Sequence, residues 1–201
     1  MNVVCLDLEG VLVGEVWIEF SEASGIPELS LTTRDEPDYD KLMNYRIGIL
    51  REHGLGLSQI QEIISTMEPL PGAREFLDKL RTETQAIIVS DTFSQFAKPL
   101  MEKLGWPTIL CNELTVDETG MIVGYKMRKA KTKRQMVELF QEMGYNVIAS
   151  GDSYNDVDML EAAQAGFLFR TTDALKEAYP QFPAYDSYDD LLAAIEGKLY
   201  L

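Results

Sequence analysis

Asp7 and Glu9 carry the first chemical signal in the chain. Asp7 ends the apolar run Val3-Val4-Cys5-Leu6 and opens the polar turn Asp7-Leu8-Glu9-Gly10. A short Val-rich run of this kind reads as a strand buried in a parallel sheet. In an open α/β sheet, ligands sit just past the carboxyl ends of such strands. A carboxylate placed there can attack phosphorus. A second acid two residues on can give a proton to the leaving oxygen and then take one from water. A lone carboxylate after a strand is just as often a helix cap or turn former, so the rest of the chain must supply partners.

Three further segments do so. The run Gln85-Ala86-Ile87-Ile88-Val89 ends in Ser90-Asp91-Thr92, and Asn146-Val147-Ile148-Ala149-Ser150 ends in Gly151-Asp152-Ser153-Tyr154-Asn155-Asp156. Between them, Lys131-Thr132-Lys133-Arg134 precedes the helical pattern Met136-Val137-Leu139-Phe140. In order, the four segments resemble the motifs of the haloacid dehalogenase (HAD) superfamily of phosphatases, from residue 3 to about residue 170. The resemblance implies an aspartyl-phosphate on Asp7, with Glu9 as acid and base and Lys133 neutralising Asp7 and the phosphoryl group. It implies phosphate contacts from Ser90, Asp91 and Asn155. It also implies Mg²⁺ held by Asp7, Asp152 and the backbone carbonyl of Glu9, with Asp156 just outside. The chain departs from the family at Glu9, where Asp is usual; the extra methylene alters the proton relay. Lys131 is the neighbouring candidate for the motif lysine, but the match favours Lys133.

Elements must position these groups. The chain has 201 residues, 46% of them hydrophobic, which suits one core plus an insertion. Residues 14–70 interrupt the alternation of strands and helices. They read as helices over 15–24, 39–53 and 58–67, stopped at Gly25-Ile26-Pro27 and Gly54, with Ser58 as N-cap of the third. The expected architecture is therefore a HAD-like Rossmannoid parallel-sheet core (1–13 and 71–201) with an inserted small helical cap (14–70). The loop 31–38, holding Thr32, Thr33, Arg34, Asp35 and Pro37, is expected to be mobile. After Pro71-Gly72 come helices over 73–82 and 96–104, a strand over 108–111 and a hairpin around Asp117-Glu118-Thr119-Gly120. The Lys133 helix, strands over 146–150 and 166–169, and helices from 174 and 188 complete the reading.

The net charge of −15, from 33 acids and 18 bases, argues against a nucleic-acid partner, which would want a basic face. An acidic protein that grips a phosphate dianion needs a cation nearby. Cys5 and Cys111 fall in apolar runs and read as buried core residues, with no disulfide or metal spacing. No apolar stretch approaches a spanning helix, and Asp7 lies too near the start for a leader peptide. Both points predict a cytoplasmic protein without membrane partners.

The second predicted helix carries the substrate signal. Leu42, Ile49 and Leu50 share a stripe with Arg46. A guanidinium on an apolar face either snorkels to water or needs an anionic partner, and its fork suits a carboxylate. Glu15 can bind an ammonium or simply favour the first turn of a helix. Together with the strings 7–13, 90–93 and 151–156, these residues resemble the phosphoserine phosphatases. They resemble especially the branch, also with Glu in motif one, that passes the phosphoryl group of L-phosphoserine to homoserine. Two alternatives stand beside this reading. One is a phosphatase for another small ester, with Arg46 structural. The other is a phospho-accepting regulatory module, which needs neither the cap nor the acid at position 9.

Overall fold

The computed structural model describes residues 1–32, 35–36, 38–128 and 132–199. Strand β1 (Asn2–Leu6) is followed by α1 (Val16–Ser24), α2 (Tyr39–Glu52), α3 (Leu57–Ser65) and α4 (Ala73–Glu83). Next come β2 (Gln85–Phe93), α5 (Ser94–Lys103), β3 (Thr108–Val116), β4 (Ile122–Lys126) and α6 (Lys133–Glu142). The chain continues through β5 (Asn146–Gly151), α7 (Val157–Ala162), β6 (Ala165–Phe169), α8 (Asp173–Ala178), β7 (Ala184–Tyr185) and α9 (Tyr188–Glu196).

The strands form one sheet in the order β4-β3-β2-β1-β5-β6-β7, parallel throughout except for β4 against β3. The side-chain alternation of a strand splits the apolar residues between the two faces. Val4 and Leu6 of β1 and Ile148 of β5 join the cluster under α4, α5 and α9. Val3, Cys5, Val147 and Ala149 join the cluster under α6, α7 and α8. From β1 the chain builds outward to β3 on one side, then returns to place β5 on the other. The carboxyl ends of β1, β2 and β5 therefore meet at a topological switch point, the usual ligand crevice of such sheets.

Helices α1, α2 and α3 pack as a block over this end. Phe20, Met43, Ile47, Leu50, Ile60 and Ile64 share one cluster with Phe93, Phe96 and Leu114 of the sheet side. The hairpin joining β3 and β4 reaches the block: Tyr125 bonds Asp40 and packs edge-on against Tyr39, and the Leu57 N–H donates to the Gly120 carbonyl.

Several local expectations need correction. Ser58 is not an N-cap; it lies inside α3, whose N-cap is Gly56, and the Gly120 carbonyl takes up the Leu57 N–H there. The buried face of α2 is Leu42, Met43, Arg46, Ile47 and Leu50, with Ile49 turned partly outward. Cys111 is only half-buried, unlike Cys5. Strand β2 runs on past Val89 to Phe93, with its register against β3 shifting between those two residues. Thr33, Arg34, Pro37 and Lys131 lie outside the described residues. No helix among the described residues is long and apolar enough to cross a membrane.

Candidate active site

The loop after β1 is wound tightly. Gly10 N–H donates to the Val13 carbonyl at 2.8 Å, and the Leu12 and Val13 N–H groups both return to the Leu8 carbonyl. Asp7 is held at the mouth of β1 by its own N–H on the Ser150 carbonyl, and the Leu8 N–H donates to Asp7 Oδ1 at 2.7 Å. Gly10 sits at φ +76°, and a methyl group there would overlap the Asp152 carboxyl. Gly151 is similarly pressed against Asp156. These two glycines allow backbone and carboxylates to approach closely.

Lys133 is the first residue of α6. Thr132 caps that helix: its Oγ1 accepts the Gln135 N–H at 3.1 Å, while Gln135 Oε1 accepts the Thr132 N–H. A cation at a helix N-terminus opposes the helix dipole, and Lys133 is buried as well. Two anions offset both costs. Its Nζ lies 2.8 Å from Asp7 Oδ1 and 2.6 Å from Asp156 Oδ1. Burial alone would lower the Lys133 pKa, but Asp156 and Asp7 together raise it, so the ammonium stays charged. Asp156 Oδ2 accepts the N–H groups of Asp152 and Ser153, so both its oxygens are engaged.

The acids around this lysine are crowded. Desolvation, then the Asp156 charge, pushes Asp7 well above the usual carboxylate range, although Lys133 opposes this. The same two causes, in the same order, push Asp152 up to about 7. Carboxylate oxygens of Asp7, Asp152 and Asp156 lie within 4.8 Å of one another. A dense set of hard oxygen donors suits a small divalent cation. Asp7 and Asp152 are the members with capacity left, since Asp156 is taken up by Lys133 and backbone amides.

Glu9 faces the first turn of α1. Its Oε2 accepts the Val16 N–H at 3.2 Å. Burial and then the charge of Glu15 push its pKa up to about 8, so the free acid holds a proton near neutrality. Glu15 is the N-cap residue of α1 but makes no side-chain cap bond; instead it lines the same cleft. That cleft, of ≈ 330 Å³, gathers Asp7, Glu9, Glu15, Arg46, Ser90, Asp91, Lys133, Asp152 and Asn155. Apart from Lys131, which lies outside the described residues, the structure thus brings together the candidates read from the sequence, with Asp156 buried beside them.

Arg46 is buried on α2. Its Nη2 donates to the Leu31 carbonyl at 2.6 Å, and its guanidinium stacks 4.3 Å above the Trp17 ring. Its Nε is buried without a partner among the described residues. Desolvation lowers the Arg46 pKa to about 10, a shift that Tyr39, Glu9 and Glu15 resist. Tyr39 and Phe93 also line the cleft, as do Trp17 and Thr32, to which the motifs did not point. Aromatic residues on amphipathic helices look like core until a cavity is seen beside them. The Thr132-x-x-Gln135 capping box, by contrast, was legible and would have singled out Lys133 over Lys131.

Sheet order, switch-point cleft and strand-end aspartate place the chain in the Rossmann-like α/β class. It belongs to the haloacid dehalogenase-like hydrolase family, whose profile matches residues 1–164. It is 53% identical over 191 residues to the phosphoserine phosphatase ThrH of Pseudomonas aeruginosa, covering 95% of this chain and 93% of that protein. A phosphoserine phosphatase of Pseudomonas syringae pv. tomato is also 53% identical, over 95% of this chain and 81% of its own. The crystal structure of phosphoserine phosphatase from T. onnurineus shares the fold, with a TM-score of 0.73 at 21% identity over 99% of this chain and 96% of the other.

Proposed function

We propose that the protein is a phosphoserine phosphatase that works through an aspartyl-phosphate and also passes the phosphoryl group to homoserine. One observation carries the chemistry: a buried Asp7 at a strand end, touched by Lys133, in a cleft it shares with Glu9, whose pKa burial and Glu15 push up to about 8. In the first half-reaction the Asp7 carboxylate attacks phosphorus and the seryl oxygen leaves. Glu9 donates the proton that the leaving oxygen needs, which the pKa of about 8 permits. In the second half-reaction Glu9, now ionised, takes a proton from the incoming water or alcohol. Lys133 stays charged throughout and offsets negative charge on Asp7 and the phosphoryl oxygens, which Ser90, the amides of the Asp91 turn and Asn155 orient.

We assign Mg²⁺ to Asp7, Asp152 and the Glu9 carbonyl, with Asp156 outside; when bound, it supplies positive charge to Asp7 and the phosphoryl oxygens. Helices α1–α3, within residues 14–70, act as the cap over the core and define the substrate. The orphaned Arg46 Nε suits a substrate carboxylate, and Glu15, beside Glu9, suits an ammonium group. A zwitterionic amino-acid phosphate satisfies both. Homoserine carries the same two groups, so the grip that fits serine also brings its alcohol to the phosphoaspartate; such proximity competes with the excess of water. The reaction is placed in the cytoplasm, between small molecules, without nucleic acid or membrane.

The test supplies phosphoserine with and without homoserine and follows products by ³¹P NMR, beside a panel of sugar phosphates and other phosphorylated amino acids. Phosphoserine should be turned over fastest and O-phosphohomoserine should form. Inorganic phosphate alone at saturating homoserine would leave a phosphatase without the transfer. Preference for a sugar phosphate would end the amino-acid reading.

A further inference from the structure

We propose that Arg128 is the positioning residue of the phosphate-binding turn: from outside the cleft it sets the peptide planes of Ser90 and Asp91 and cancels the charge of Asp91. This rests on the assignment of that turn to phosphate. Arg128 follows β4 and is not part of the cleft wall, yet its guanidinium is buried, with only 9% of the side chain exposed. One arm, Nη1, donates to the Ser90 carbonyl at 2.7 Å; the other, Nη2, meets Asp91 Oδ1 at 3.0 Å. Asn112 completes the clamp. Its Nδ2 donates to the Asp91 carbonyl at 2.9 Å, while its Oδ1 accepts the Arg128 N–H at 3.1 Å.

Two physical consequences follow from these bonds. In a trans peptide the C=O and the following N–H point in opposite directions. Holding the Ser90 and Asp91 carbonyls toward Arg128 and Asn112 turns the Asp91 and Thr92 N–H groups the other way, and the Thr92 N–H lies 3.2 Å from Ser90 Oγ. This stretch is where β2 and β3 lose register between Val89 and Phe93, so the ladder alone does not hold it. The second consequence is electrostatic. Asp91 lines the cleft that contains Asp7 and Lys133, where a free carboxylate would repel a phosphate dianion and draw on the charge of Lys133. The ion pair from Nη2 to Asp91 Oδ1 offsets that charge locally. A lysine could supply the charge but not both arms.

The test uses the Mg²⁺-supplied full chain, p-nitrophenyl phosphate as substrate and inorganic phosphate as competitive inhibitor, so it does not depend on which amino acid the enzyme prefers. Wild-type turnover of this ester without turnover of phosphoserine would end the substrate reading and leave the comparison of variants intact. Arg128→Met should melt as a folded protein and weaken inhibition by phosphate about tenfold or more, the scale of a charge-assisted bond. Arg128→Lys should recover part of that loss and remain about threefold or more weaker than wild type. A merely structural role would shift the melting temperature and leave the inhibition constant alone. If Arg128→Met does not fold, Arg128→Lys decides. Inhibition within twofold of wild type in a folded variant, or full recovery by lysine, would overturn the proposal.

Discussion

Asp7 does what a lone acid after a strand rarely does: it sits buried against a charged lysine with two other carboxylates close by. Asp7→Asn removes the proposed nucleophile and one proposed metal donor while keeping the side-chain volume. Turnover should fall by on the order of 10⁴ or more, with the fold retained by circular dichroism; a variant keeping a tenth of wild-type activity would exclude Asp7 as nucleophile. Arg46 calls for a differential measurement, because its burial and its stacking on Trp17 also make it structural. Arg46→Ala should cost roughly 2–4 kcal/mol in kcat/KM for phosphoserine and far less for an ester without a carboxylate. Equal losses on the two substrates would assign Arg46 to the support of α2.

At the scale of elements, the site depends on a loop that brings backbone within contact of a carboxylate. Gly10 and Gly25 both adopt left-handed backbone, at φ +76° and +69°, but only Gly10 faces a neighbour. Each Gly→Ala change should cost about 1–2 kcal/mol of stability for the conformation alone. Gly10→Ala should in addition raise the Mg²⁺ concentration needed for half-maximal activity, because the new methyl displaces Asp152. Gly25→Ala should leave that concentration unchanged. Matching metal titrations for the two variants would mean that the close approach at Gly10 has no role in the site.

For the whole molecule, crowded acids set the response to pH. Without a cation, Glu9 is raised from its ordinary 4.5 to about 8, Asp152 from 3.8 to about 7, and Asp7 also upward. The folded state then holds protons that the unfolded chain has already released. Stability is fully present below the unfolded values and is lost as pH rises through the folded ones. In EDTA the melting temperature should therefore fall between about pH 4 and pH 8, and activity should vanish. Mg²⁺ should remove much of that fall by replacing the protons as countercharge. The chain's net charge of −15 adds general repulsion as pH rises, but a specific rescue by micromolar to millimolar Mg²⁺ separates the two effects. A melting temperature that is flat or rising in EDTA would mean that these acids are ionised in the metal-free fold.

Much of this architecture was legible in the amino-acid order because it is local. Strand-end polar turns, the spacing Asp7-x-Glu9 and the run from Gly151 to Asp156 depend on neighbours within a few residues, and short continuous apolar runs placed the core strands. The sequence by itself therefore determined the parallel sheet, the four segments that meet at its switch point and the family they resemble. Only the tertiary structure decided what those residues experience. The pKa of Glu9 depends on burial and on Glu15 across a loop, and Arg46 became an orphaned donor only when Trp17 and Leu31 closed around it. Ser58 lost its expected cap role because Gly120, more than sixty residues on, already met the helix start. Arg128 and Asn112 carry no local pattern at all; their meaning comes from β3 and the end of β4 lying beside the turn that follows Val89. Desolvation and long-range contact are properties of three-dimensional neighbours, and linear spacing does not encode them in readable form.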